Sequence, residues 1–431
     1  MTLVSVCMPS YNYARFLRDA VDSVLGQSHS AFELLIIDNG SSDGSYEIAQ
    51  EYAERDGRVR VLTHAGRVNR GVNASLNLGL ATARGEYFCL LPADDLHLKD
   101  SLARRIELLD AAPDAGFAYG TSQTLHEDGT PTGHVGGRAP EDMLRFDRTR
   151  DLLQALLFHD FVPGAALIAR KALLDAVGGF EDSVYFNDWY VTIRLLARAG
   201  CVFVPGEPVV GYRHHERHRA AWNLEADRSR KLELFRALWR HSASSSDRLE
   251  EPRVRALIAL QRAVHAHRLG EAVEAREAIA DAFAADGSLR DDERYVNWWL
   301  DPCHGEWSLA LERAARRTFT RALASPPTSI EGVLAAGGDH TRFACVVVDA
   351  SSGTSTPALR EAVGWAAASD QLEALGNTPR PVLLLSLLAR ATRRPHLLRV
   401  RPFVKAVLVA AGLWPAVAAS RARASAGATG N

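Results

Sequence analysis

Sulfur is scarce in this sequence. Its 431 residues include 5 cysteines and 3 methionines, and Cys7, Cys89, Cys201, Cys303 and Cys345 stand singly, without the paired spacing of a zinc or iron–sulfur site. This excludes a cysteine-built metal centre and a disulfide scaffold, and it predicts buried thiols in a reducing compartment. Net charge is equally lacking: 50 Lys and Arg against 52 Asp and Glu leave -2 at pH 7, so no global field draws the chain to nucleic acid. No nucleic-acid partner is expected. Long apolar runs are also missing. The stretch Phe403 to Ala419 contains Lys405 and Pro415 and falls short of the ~20 apolar residues of a membrane span. With Arg393, Arg394, Arg399 and Arg401 ahead of it, it reads as a packed amphipathic helix or, alternatively, as a peripheral membrane contact near 393–419. The opening Met1-Thr2-Leu3-Val4-Ser5-Val6 has none of the charged, apolar and cleavage regions of a signal peptide. A cytoplasmic location is expected, at most peripheral at the inner face of the membrane.

What is present is the composition of a folded protein. Apolar residues make up 47% and charged residues 24%, values typical of a globular chain with a substantial core, and the length suggests about two or three domains. From Leu3 to about Trp222 short β-rich runs alternate with helical periodicity. Leu3 to Met8, Glu33 to Asp38, Val59 to Thr63 and Glu86 to Leu91 read as strands. Between them, Tyr13 to Gln27 carries Phe16, Leu17, Ala20, Val21, Val24 and Leu25 at the spacing of one helix face. Further helices are predicted to about Tyr52 and over Val72 to Ala83. Such alternation argues for an α/β fold with a mostly parallel, doubly wound sheet. Further on, Gly116 to Thr124, Ala165 to Ala169 and Cys201 to Pro205 read as strands, with helices over Asp151 to Phe158, Lys171 to Val177 and Asp188 to Ala199. The expected domains are 1–222 (α/β), 223–325 (helical) and 326–431 (mainly helical, with a strand at Phe343 to Asp349 and a frayed tail).

The densest chemistry lies in Leu90-Leu91-Pro92-Ala93-Asp94-Asp95-Leu96. A buried strand ending in paired acids puts hard oxygen ligands at the carboxyl edge of a sheet, where open α/β folds bind ligands. Tyr11, just past the first strand, offers a flat face for a ring.

Several ordered motifs accompany these acids. They are Val4-Ser5-Val6-Cys7-Met8-Pro9-Ser10-Tyr11-Asn12, the run Phe32 to Gly44, Asn69-Arg70-Gly71-Val72 with Asn77 and Gly79, and Gly85-Glu86-Tyr87. Ala93-Asp94-Asp95, Gly178-Gly179-Phe180 with Asn187-Asp188, and Tyr212-Arg213-His214-His215 follow. Together, over residues 3 to 215, they resemble the family 2 glycosyltransferases, inverting enzymes of the GT-A fold. The resemblance implies that Pro9 and Tyr11 line a nucleotide pocket and that Asp38 and Asn39 face the base. It implies that Asp94 approaches the ribose and that Asp95 binds Mg²⁺ or Mn²⁺. His215 would reach the metal or the diphosphate, with Arg213 supporting charge nearby, and Asp188 would be the general base. Three positions depart from the family pattern: Asn39 and Asn187 stand where acids are usual, and Pro92 replaces the acid of the longer motif.

The function expected on this resemblance is metal-assisted transfer of a sugar from a nucleotide-diphosphate donor, UDP favoured, to an acceptor hydroxyl. The alternatives are a non-catalytic sugar-nucleotide-binding protein on the same fold and a nucleotidyltransferase. The latter is disfavoured because Met8 to Arg15 holds no Gly-rich basic loop. The acceptor is open among glycans, lipid-linked sugars, proteins and small molecules. The helical region after Trp222 would shape the acceptor site or a homodimer interface.

Overall fold

The computed structural model describes residues 2–147, 149, 151–216 and 224–291. Cys303, Cys345, the strand expected at 343–349 and the segment 393–419 lie outside the described residues. The chain divides into two compact units, residues 1–254 and 255–431.

In chain order the strands are β1 (Val4–Ser10), β2 (Phe32–Asp38), β3 (Val59–Thr63), β4 (Tyr87–Leu90), β5 (Leu96–His97), β6 (Ala115–Tyr119), β7 (Ser122–Leu125), β8 (Pro131–Gly136), β9 (Leu167–Arg170), β10 (Gly200–Phe203) and β11 (Val210–Arg213). The helices are α1 (Ala14–Leu25), α2 (Ser45–Arg55), α3 (Val72–Thr82), α4 (Ser101–Asp110), α5 (Pro140–Asp147), α6 (Leu152–Phe158), α7 (Lys171–Ala176), α8 (Asn187–Arg198), α9 (Leu224–Ser242), α10 (Pro252–Arg268) and α11 (Ala272–Ala285). Helix α9 falls within the first unit, past the expected boundary at Trp222. In the second unit the described residues are helical, the rest of α10 followed by α11.

The main sheet has the order β10-β6-β9-β4-β1-β2-β3. Strand β1 pairs in parallel with β2 and β4, and it is buried on both faces because helices cover both. Val4, Val6 and Met8 share one core with Leu17, Ala20 and Val21 of α1 and with Leu102 and Ile106 of α4. Each such fully buried aliphatic side chain contributes about 1.5–3 kcal/mol. On the other face Cys7 meets α3 so closely that a Cβ at Gly79 would lie 2.3 Å from its Sγ. Glycine at that position lets helix and strand touch.

Strand β9 runs antiparallel to both neighbours, β4 and β6. It therefore begins at the carboxyl edge of the parallel strands, and it brings the preceding loop, residues 159–166, to the edge where β4 delivers Asp94 and Asp95. The expected single strand Gly116 to Thr124 is two strands. β6 joins the main sheet and β7 joins a second sheet of order β5-β11-β7-β8. The chain crosses between them at Gly120, where a Cβ would sit 2.8 Å from Val209 Cγ2. Strands β5, β8 and β11 and helices α4 and α5 had no counterpart in the sequence reading. Among the described residues no helix is long and apolar enough to cross a membrane.

Candidate active site

A cavity of about 730 Å³ opens at the carboxyl edge of the main sheet, lined by residues from Pro9 to Tyr11, Asn39, Asp94, Asp95, Asp160, Asp188 and Tyr212 among others. Tyr11 is 37% exposed and lines the cavity. Ser10 lies beside it, buried, and its hydroxyl has no hydrogen-bond partner among the described residues. A buried hydroxyl at a cavity wall is poised for a ligand.

Behind this wall the second strand ends in a tight turn. Asp38 is buried and accepts bonds from the amides of Gly40 and Ser41 at 3.2 and 3.3 Å, with Arg67 Nη2 at 4.0 Å. It closes the turn, while Asn39 faces the cavity. The Asn39 amide is used at both ends: Oδ1 accepts from the Arg70 amide at 2.8 Å, and Nδ2 donates to Asn69 Oδ1 at 3.1 Å. Asn69 Oδ1 also accepts from the Gly71 amide at 2.9 Å. An aspartate could not make the donated bond, which accounts physically for asparagine at this position.

Asp94 and Asp95 are each 2% exposed. The Arg213 amide donates to Asp95 Oδ1 at 2.9 Å, and Arg213 Nε donates to the Asp94 carbonyl at 3.0 Å. The rest of the guanidinium donates to the Glu127 carbonyl at 2.8 Å and to Asp19 Oδ2 at 3.1 Å, and the group lies 5.0 Å from the Phe16 ring centroid. His215 Nε2 hydrogen bonds to Asp94 Oδ2 at 2.9 Å, and its ring packs 5.2 Å from that of Phe16. Arg213 and His215 thus stand behind the acids as supports, where the sequence reading had set them against substrate and metal. Their neighbours Tyr212 and His214 line the cavity instead; within β11, Tyr212 and Arg213 point to opposite faces.

Burial, and then the charge of Asp94, push Asp95 well above the ordinary carboxylate range, against the Arg213 amide and charge. Two buried, adjacent hard-oxygen donors with unbalanced negative charge fit Mg²⁺ or Mn²⁺. No group of three or more His, Cys, Asp or Glu side chains among the described residues makes a protein cage, so phosphate oxygens and waters would complete the shell.

On the facing wall Asp188 occupies the first turn of α8. Its Oδ1 accepts from the Trp189 amide at 2.9 Å, and the Gly164 amide also donates to its carboxylate. Burial nonetheless dominates and raises its pKa. Trp189 anchors the helix by donating from Nε1 to the Leu156 carbonyl at 2.7 Å. Asn187, where the family usually has an acid, donates to Asn73 Oδ1 at 2.5 Å. Asn73 in turn donates to the carbonyls of Glu181 and Val184 at 2.7 and 2.8 Å. One turn further along α3, Asn77 holds Phe180 by both backbone groups, at 2.7 and 2.9 Å. These amides tie the loop that presents Asp188 to α3.

Two cavity residues escaped the sequence reading. Tyr212 has its phenol pKa raised by burial first, then by the charges of Asp95, Asp94 and Asp188, so it keeps its proton and can donate. It senses the acids of both walls. Asp160, on the loop before β9, interacts electrostatically with Asp188. The signal for Tyr212 was the alternation in the Tyr212-to-His215 motif; for Asp160 there was none, because the reversed direction of β9 is what brings it to the edge.

A twisted, mostly parallel sheet with acids at its carboxyl edge and a carboxylate on a facing helix defines the class, a GT-A glycosyltransferase, and comparison with known proteins agrees. Residues 5–175 match the model of the family described as Glycosyl transferase family 2. Through this region the chain is similar to the glycosyltransferases of family 2. An uncharacterized glycosyltransferase of Rickettsia typhi is 26% identical over 238 residues, 55% of this chain and 70% of the relative. The putative teichuronic acid biosynthesis glycosyltransferase TuaG of Bacillus subtilis is 36% identical over 129 residues, 30% of this chain and 50% of TuaG. The match thus spans half the length of TuaG. The crystal structure of S. aureus TarS 1-349 in complex with UDP-GlcNAc aligns with a TM-score of 0.51 at 16% identity, covering 69% of this chain and 86% of that one. At that identity the likeness concerns the fold.

Proposed function

We propose that the protein transfers a glycosyl group from a nucleoside diphosphate sugar to an acceptor hydroxyl in one displacement that inverts the anomeric carbon. The observation that carries this reading is that Asp188 and the Asp94-Asp95 pair line one cavity, with Tyr212 under the field of all three. In this reading the acceptor oxygen attacks C1 while its proton passes to Asp188. The bond from C1 to the diphosphate oxygen breaks, and its electron pair leaves with the diphosphate. The raised pKa of Asp188 brings the base nearer the working pH, which favours proton transfer. Pro9 and Tyr11 would hold the nucleobase, Ser10 and Asn39 would offer polar contacts beside it, and Asp94 would face the ribose. Asp95 would hold Mg²⁺ or Mn²⁺, which when bound neutralises charge on the departing diphosphate. Arg213 and His215 keep both acids in place, and Tyr212 donates a hydrogen bond into the cavity. A UDP-sugar is the donor class favoured, in keeping with the UDP-GlcNAc bound by TarS.

The test is turnover of UDP-sugars with Mn²⁺, with the product anomer read by NMR. Inversion, loss of turnover with EDTA and recovery with Mn²⁺ or Mg²⁺ are expected. A folded Asp188→Asn variant with full turnover would remove the mechanism.

A further inference from the structure

Asp160 lines the same cavity as Asp188 and is exposed. Among the described residues no donor makes a hydrogen bond to its carboxylate. The charges that act on it are Asp188, which repels it, and Lys231 of α9, which opposes that repulsion. Lys231 is itself paired with Asp227 Oδ2 at 2.9 Å.

The loop that carries Asp160 is held in place. The Arg138 amide donates to the Phe161 carbonyl at 3.1 Å, and the Ala166 amide donates to the Pro163 carbonyl at 2.9 Å. A Cβ at Gly137 would lie 2.9 Å from the Pro163 ring, so the two strands of chain are in contact. A fixed carboxylate near a second carboxylate is repelled by it. A ligand that brings hydroxyl donors to both would relieve that repulsion.

We propose that Asp160 is an acceptor-binding residue that accepts a hydrogen bond from a hydroxyl adjacent to the one Asp188 deprotonates, so that the acceptor is a saccharide with neighbouring hydroxyls. An isolated alcohol, such as a serine side chain, would leave Asp160 unsatisfied. The exposed ring of Tyr212 in the same cavity gives a sugar a flat face to rest on. This inference rests on the reading of Asp188 as the base.

The experiment uses the full-length protein with a UDP-sugar and Mn²⁺. The acceptor probes are methyl glycosides of glucose, galactose and N-acetylglucosamine, their monodeoxy derivatives, and butanol and N-acetylserine amide as single-hydroxyl alcohols. Binding is followed by saturation-transfer NMR and transfer by product formation. Glycosides are expected to bind and react in preference to the single-hydroxyl alcohols. Asp160→Asn, with a melting temperature near that of the parent, should raise the acceptor KM about tenfold or more, with a smaller change in kcat, as expected for loss of a hydrogen bond to a charged group. The monodeoxy acceptor that loses the partner hydroxyl should be poor with the parent and no worse with Asp160→Asn or Asp160→Ser. An unchanged acceptor KM in both variants, equal use of single-hydroxyl alcohols, or no binding of any glycoside would overturn the proposal. Full turnover by Asp188→Asn would instead sink the underlying mechanism, whatever Asp160 does.

Discussion

Replacing Gly164 by alanine adds one methyl group where there is no room for it. The new Cβ would lie 2.5 Å from Asp188 Cβ, 2.7 Å from Oδ2 and 3.1 Å from Cγ. Carbon atoms rest about 3.5–4.0 Å apart, so one partner must yield by about 1 Å. Gly164 is poorly placed to yield. It begins the single turn of 3-10 helix Gly164–Ala166, and the buried Arg105 Nη1 holds the next carbonyl, that of Ala165, at 3.3 Å. The Asp188 carboxylate therefore moves. A misplacement of about 1 Å in a reacting group costs about 10²-fold, which is about 2.7 kcal/mol of barrier. Because Gly164 does not have a positive φ, alanine adds no backbone strain, and the effect reports on the contact alone. The assay is kcat/KM for transfer, with the melting temperature as a check on folding. Gly57→Ala is the control, since a Cβ there meets nothing within 4 Å. A fall of about 100-fold at Gly164 and none at Gly57 is expected. Activity of Gly164→Ala within about threefold of the parent would refute the argument that this glycine sets the position of the base.

Asn73→Ala removes two bonds to carbonyls and leaves Asn187 without its acceptor; urea unfolding should show a loss of about 2–4 kcal/mol, with a fall in kcat because Asp188 follows Asn187. Asn39→Asp places a carboxylate oxygen against Asn69 Oδ1, which is already committed to Gly71. UDP affinity measured by calorimetry should weaken several-fold, and an unchanged affinity would separate this loop from the nucleotide. The raised pKa of Asp188 sets the acid side of the pH profile. The base works ionised, so kcat/KM should rise with pH through an apparent pKa above the ordinary carboxylate range, and this limb should vanish in Asp188→Asn. Stability carries the opposite sign: a carboxylate whose folded pKa is raised favours the fold at low pH, and that contribution is lost as pH rises through the folded value.

Much of the first unit was legible in the sequence because its signals are local. The helix-face spacing of Phe16, Leu17, Ala20, Val21 and Val24 predicts the residues that α1 buries, and Val59–Thr63 was read to the residue. The paired acids after an apolar strand pointed to the cavity for the same reason. What escaped depends on contacts between distant segments. Strand β5 is two residues long, too short for any period to show, and it exists because β11 pairs with it. The direction of β9 is likewise invisible in Leu167-Ile168-Ala169-Arg170, since a strand reads the same parallel or antiparallel. Asp160 was missed with it. The bonds of Arg213 and His215 to the acids were not legible either, because their motif gives adjacency along the chain and not what each side chain meets across it.

The amides of Asn39, Asn69, Asn73, Asn77 and Asn187 have a consequence for how the enzyme tolerates its own chemistry. Residues 69 to 77 fasten the turn after β2 on one side and the loop before α8 on the other, and every one of these bonds is between uncharged groups. Protons and cations that come and go during a reaction cycle leave such bonds unaltered, whereas ion pairs in their place would strengthen and weaken with each change. The ties that α3 and the loop before it make to both sides are thus indifferent to charge, and on the proposed mechanism the charge changes of catalysis leave them as they are.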